Sequence, residues 1–379
     1  MRSEWAGSMR RAALLAALTA LLMAAPSCAA QTSGEWIRPH KKGDPLIWGR
    51  RDGIVFGIAS PGGMKGPRGL IRVGIYTPAK GPQLLNYIAV EPVTKGVGTR
   101  FSRLGFSELE MSQLDPGKRG KRMWVDTKGA DEDAAIAGTL KTFSTGNVTV
   151  EQGPRKNIER LTVRIDVERY SSNGAHVYVI ASMDSDHPKQ LRLTPVAESD
   201  SAPIEELTVT ATMGNFERLR LLWLNNAVIN SRDLFKSYSE DAFVEDNSYP
   251  LPSMLRTGDG DAIVFCTSDE ANPRDSHGNQ TAHWVYNLPK LTQYWLVPGY
   301  DVEPNLRVRV NARRVYWGSH APVLGGIAFE NFEVRERYVP GQTFVFGITE
   351  EEPWEFYQGN SKLSKPARWN PISNETPAP

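Results

Sequence analysis

Apolar and polar residues alternate along most of the chain. LTVRIDVERY (161–170), HVYVIAS (176–182), EELTVTATM (205–213), LRVRVNARRVYW (306–317) and GIAFENFEVRERY (326–338) carry the pattern most clearly. A period of two sends successive side chains to opposite faces, as in a strand with one face buried. About sixteen such runs occur, punctuated by Gly, Pro and Asn-Gly. Ser171-Ser172-Asn173-Gly174 joins two of them and predicts a hairpin. Only FSELEMSQL (106–114) and DEDAAIAGTL (131–140) suit helices. Strands without intervening helices exclude a parallel α/β sheet, and no repeat of 20 to 50 residues suggests a propeller or solenoid. The expected fold is all-β, an antiparallel β-sandwich or supersandwich, as one body or as two packed halves.

The pattern also divides the chain. Arg10 and Arg11 precede an apolar run from Ala12 to Ala25, which meets Pro26-Ser27-Cys28-Ala29-Ala30. A basic start, a short apolar run and small residues at the cut describe a secretory signal over residues 1–30, and the run is too short to span a bilayer. Cys28 offers a lipid anchor as the alternative to simple cleavage. A polar tether is expected over 31–44, the β body over 45–350 with a sub-boundary near 198–203, and a C-terminal extension over 351–379. Long polar loops are expected over 238–261 and 268–282.

Composition narrows the classes. The 379 residues carry 44 basic and 43 acidic side chains, a balance that gives no pull toward nucleic acid or an anionic membrane. Two cysteines, Cys28 and Cys266, leave no disulfide framework once the signal is removed. Cys266, in DAIVFCTS, reads as a small buried hydrophobe. The glycine-rich segment 60–74 lacks the GKS or GKT ending of a phosphate loop and runs into a strand. The six histidines form no HExxH, and no GxSxG elbow occurs. No cofactor or catalytic metal is expected. Asp184-Ser185-Asp186-His187 and Asp259-Gly260-Asp261 have the clustered oxygens that suit a structural calcium.

Candidate chemistry concentrates between His283 and Glu330. Large rings stack on the apolar faces of sugars, guanidinium forks grip carboxylates or sulfates, and His or Tyr moves protons. His283, Trp284, Tyr294, Trp295, Arg314 and Trp317 are the expected substrate-binding residues, amid further cations at Arg307, Arg309 and Arg313. Glycoside hydrolysis needs two carboxyl groups, and Glu330 and Glu91 are the expected pair, chosen over Glu108, Glu110, Glu205 and Glu206. A polysaccharide lyase would instead pair Arg313 or Arg314 with Tyr316, and use His283 or His320 as base. Without an acid or base, the same aromatics would form a non-catalytic glycan-binding surface.

GIAFENFEV, IAVEPV and a signal before an all-β body give the chain a texture similar to exported bacterial proteins that accompany polysaccharide breakdown, some of which resemble the galactose-mutarotase supersandwich. The resemblance covers a few short runs and carries over no catalytic motif. It implies a context, extracytoplasmic glycan handling. The expectation is thus a secreted carbohydrate-active enzyme with a polysaccharide or oligosaccharide as partner, hydrolase first and lyase or glycan-binding surface protein as alternatives. It would be periplasmic, extracellular or anchored at the cell surface.

Overall fold

A computed structural model describes residues 34–41, 44–58, 70–95, 103–104, 146–152, 157–167, 169–170, 173–212, 218–236, 247–270, 291–315 and 322–357. The expected signal segment with Cys28 and both helix candidates lie outside these residues. Among the described residues no helix is long and apolar enough to cross a membrane. The described residues from Glu35 onward cluster as one compact unit.

The chain is all-β, built as two large antiparallel sheets packed face to face. It opens with β1 (Trp36–Ile37), β2 (Ile47–Arg50), β3 (Ile54–Gly57), β4 (Leu70–Thr77), β5 (Gly81–Lys95) and β6 (Arg103–Leu104). Then come β7 (Asn147–Gln152), β8 (Asn157–Asp166), β9 (Val177–Asp184), β10 (Gln190–Ala197) and β11 (Ile204–Thr212). The short β12 (Leu221–Trp223) and β13 (Val228–Asn230) lead into a one-turn helix, α1 (Ser231–Leu234). The second half holds β14 (Asn247–Pro250), β15 (Leu255–Arg256), β16 (Ala262–Thr267), β17 (Thr292–Val297), β18 (Arg307–Arg313), β19 (Ala328–Arg337), β20 (Phe344–Thr349) and α2 (Pro353–Phe356).

The first sheet runs β1-β2-β3-β4-β5-β11-β19-β18-β14, with β6 on β5. The second runs β13-β12-β16-β17-β20-β10-β9-β8-β7, with β15 on β16. Alternation explains how they meet. Val90, Val209, Val310 and Phe332 from the first sheet pack in one core with Val163, Val179, Leu193 and Phe346 from the second. Burying each such side chain contributes roughly 1.5–3 kcal/mol, which favours this register over one slipped by a residue. Cys266 lies in the same core, fully buried.

The expected hairpin forms. β8 and β9 pair from Arg160↔Asp184 to Asp166↔Tyr178, and Gly174 takes the left-handed conformation that the turn requires, φ 71°. Its tip is tied to the other sheet, because Asn173 Nδ2 donates to the Pro92 carbonyl (2.9 Å) and the Tyr170 hydroxyl to that of Val90 (2.7 Å). The polar segment 198–203 proves to be a crossover that carries the chain from β10 in the second sheet to β11 in the first.

Two segments flanking the expected body pack against it. The tether contains β1, which pairs with β2 through Trp36↔Arg50, and the indole of Trp36 donates to Glu159 on β8 at 2.5 Å. The C-terminal extension begins with α2, whose Trp354 and Phe356, with Tyr357, cover Trp223, Phe265 and Tyr294 on the outer side of the second sheet.

Candidate functional site

The face of the first sheet turned away from the core holds most of the buried charge. Strand register assembles it. Thr208 on β11 lies between Glu91 on β5 and Arg335 on β19, and Thr210 lies opposite Glu333. Across the next pairing Glu333 faces Arg309 and Arg335 faces Arg307, both on β18. Each of these residues is out of phase with the apolar positions of its strand, so alternation sends them all to this one face.

Although the face is polar, it is not wet: Glu91 is 1% exposed, Glu333 and Thr210 are 0%, and Glu206, Arg309 and Arg335 are each 7%. Ions taken out of water must be paired to be tolerated. Arg309 Nη1 donates to Glu333 Oε1 at 3.0 Å and Arg335 Nε to Glu206 Oε2 at 2.6 Å. The Thr210 hydroxyl oxygen lies 3.1 Å from Glu91 Oε2 and 2.9 Å from Glu333 Oε2, so these carboxylate oxygens are no more than about 6 Å apart. A hydroxyl carries a single proton and donates to one of them at a time. A carboxyl approaching the same oxygen from the other side is best matched when it carries a proton itself. Two carboxyl groups around one hydroxyl therefore suit the holding and passing of a proton.

Glu330 does not join Glu91. It sits at a bulge of β19, between Asn331, which pairs with Asn311, and Phe329, which pairs with Ala312. Its carboxylate meets Arg313 Nε at 2.8 Å. Burial pushes the Glu330 carboxyl up, and Arg313 pulls it partly back. Glu91 is bound near Thr210, opposite Glu333, whereas Arg313 lies opposite Ala328 and two strands further across. At strand spacings that separates the two carboxyl groups by roughly 15 Å, beyond the range of an acid pair. Glu333 is the carboxylate beside Glu91.

The aromatic expectations divide. Trp295 is wholly buried in the core between the sheets, where its indole donates to the Phe332 carbonyl at 2.9 Å. Tyr294, its neighbour, points the other way into the cluster under α2, accepts a bond from Gln190 Nε2 at 3.0 Å, and is pushed up to about 12 by burial. Packed this way, both are core residues on opposite faces and cannot line one groove. Arg314 stands just past the end of β18, half-buried. His283, Trp284, Tyr316, Trp317 and His320 lie outside the described residues.

No family model, no curated protein and no solved structure matches the chain.

Two other clusters have structural work. Arg218 and Arg220 grip Glu270, and Arg220 and Arg232 grip Asp269. Arg220 also donates to the Leu324 and Gly326 carbonyls and Arg232 to that of Gly325, at 2.5 Å for the last. Gly325 has φ 71°, and a Cβ there would come within 3.1 Å of Arg220, so the close approach that the glycine pair permits is used by arginines of the chain itself. Among the expected calcium ligands, Asp184 is engaged by Arg160 (2.6 Å) and Arg192 (3.4 Å), and Asp261 accepts the Gly299 amide (2.9 Å). Among the described residues no group of three or more His, Cys, Asp or Glu side chains gathers around a point that could hold a metal ion.

Sequence reasoning named Glu91 and weighed Glu206, and it counted Arg307 and Arg309 among the cations. It missed Glu333 and Thr210. The signal for Glu333 was present in AFENFEVRER, where Asn331, Glu333 and Arg335 share one parity with the outward residues of β18.

Proposed function

We propose that the protein is an exported carbohydrate-active enzyme that cleaves a polysaccharide or oligosaccharide by hydrolysis, with Glu91 and Glu333 as its carboxylate pair. The observation that carries this reading is their separation, no more than about 6 Å between the facing oxygens. Retaining glycosidases hold their two carboxyl groups roughly 5–5.5 Å apart, close enough for one to attack the sugar carbon while the other protonates the leaving oxygen. Arg309, paired with Glu333, favours Glu333 as the attacking carboxylate, and Glu91 then serves as the proton donor. The amino-terminal signal supports an extracytoplasmic location, either free or held by a lipid on Cys28.

One alternative has an observation of its own. Both carboxyl groups are almost wholly buried, which suits a glycan-binding surface protein in which the ion pairs only hold neighbouring strands together. The mature protein, incubated with a panel of glycans, separates these readings. Release of reducing ends that falls at least about 100-fold in both Glu91→Gln and Glu333→Gln supports the hydrolase. Release unaffected by either change removes the pair from the chemistry. Ultraviolet-absorbing unsaturated products would identify a lyase, and binding without either product would identify the surface protein.

A further inference from the structure

Arg307 is the least settled cation of the polar face. Strand register sets it directly opposite Arg335, a like-charged cross-strand pair that costs stability by itself. Both guanidiniums turn to the same oxygen, Glu206 Oε2, but unequally. Arg335 holds it at 2.6 Å with its side chain 9% exposed, whereas Arg307 reaches it only at 3.4 Å and leaves 27% of its side chain in solvent. Its other contact, to the Asn305 carbonyl, is also long at 3.5 Å. An arginine fork fixed by good bonds would sit near 2.9 Å.

We infer that Arg307, backed by Arg335 and Arg309, forms an anion-binding subsite that takes the carboxylate or sulfate group of an acidic sugar. The sugar part of this assignment rests on the glycan reading above; the anion part rests on the Glu206 oxygen that Arg307 and Arg335 share and on the strand register that sets Arg309 on the same face. Arg309 is two residues along the same face of β18, which places the subsite about 7 Å from the Arg309–Glu333 pair, within the span of a sugar ring and its substituent. Burial, with the nearby charges of Arg335 and Arg309, also pushes the Arg307 guanidinium down from its ordinary value, as expected where positive potential exceeds what Glu206 offsets. An incoming anion would relieve that excess through a two-pronged contact, which a neutral sugar cannot make.

Calorimetric titration of the mature protein at low salt tests the subsite, with three probes: an oligogalacturonate, a sulfated galactose oligosaccharide and a neutral gluco-oligosaccharide. The expected result is binding of one or both acidic probes over the neutral one, with affinity lowered about tenfold or more in Arg307→Gln. Arg307→Lys keeps the charge beside Glu206, and so protects the fold, but loses the fork; it should weaken the same probe severalfold. Which acidic probe binds tells carboxylate from sulfate. Equal affinity in wild type and both variants, equal binding of the neutral probe, or binding of no acidic probe overturns the subsite. Acidic binding that persists in Glu91→Gln and Glu333→Gln with no turnover in the wild type would keep the subsite and remove the hydrolase. Turnover of neutral glycans alone would do the reverse.

Discussion

The outer faces of the two sheets are built by the same alternation, yet the second is solvated over β8, β9 and β10, beyond the part that α2 covers, whereas the first is dry over β11, β18 and β19. On β8, β9 and β10 most outward residues are partly or fully exposed, and Arg164 pairs in the open with Asp166 and Glu198, its side chain 46% exposed, although Arg192 (33%) reaches inward to Asp184 (6%). On β11, β18 and β19 the outward residues are just as polar but lie below the surface, and Arg309 meets Glu333 with 8% and 0% of the side chains exposed. Exposed pairs are screened and gain little over hydration, whereas buried ones are kept only by their partners. A face that carries that cost across neighbouring strands is the more informative place to look for function.

The comparison is broken most directly at Glu333. Glu333→Ala leaves Arg309 buried beside a missing partner and should cost about 3–5 kcal/mol in urea unfolding. A cost below about 1 kcal/mol would put this face on a par with the solvated one.

Glu336 sharpens the contrast through pH. It sits on the core side of β19, 0% exposed, accepting the Glu303 amide (3.1 Å) and Gln342 Nε2 (2.7 Å), and burial pushes it up to about 7. The native state thus holds a proton that the unfolded chain releases near 4.5. Its contribution is fully present below that value and is lost as pH rises through about 7, on the order of 3 kcal/mol in all. Thermal melts between about pH 5 and pH 8 should show a fall that is flattened in Glu336→Gln. An unchanged slope would mean that the carboxyl is ionised in the core.

Smaller effects calibrate the rest. Tyr294→Phe removes only the bond from Gln190 and should cost about 1 kcal/mol by denaturant titration, with no effect on the glycan binding proposed above, since the ring lies under α2. Arg164→Ala, on the solvated face, should cost less than about 1 kcal/mol and respond to added salt.

Fold class was legible because alternation is local. LTVRIDVERY and HVYVIAS announce both their strands and the hairpin between them, and the Asn-Gly turn needs no distant information. The polar face was not legible, since Glu91, Thr210 and Glu333 meet through the order of strands β5-β11-β19, and 119 and 123 residues separate Thr210 from its two partners. Nothing in a single sequence sets that order. Tyr294 and Trp295 misled for another reason. β17 is buried on both faces, so its aromatics read as a sugar platform although each belongs to a different packing layer. Glu330 lies close in sequence to Gly325-Gly326, but those glycines accommodate Arg220 and Arg232, and Glu330 pairs with Arg313.

The position of β20 bears on how the molecule reaches this state. That strand, Phe344–Thr349, lies between β17 and β10 in the middle of the second sheet, pairing with Tyr294 and Trp295 on one side and with Leu191 and Arg192 on the other. Until β20, the last strand among the described residues, is available, β10 and β17 each keep one edge without the partner that the finished sheet supplies. Non-local closure of this kind is slow, and an uncovered edge is a template for pairing with other chains. Insertion of β20 thus both completes the second sheet and removes two open edges at which a partly folded chain would pair with another.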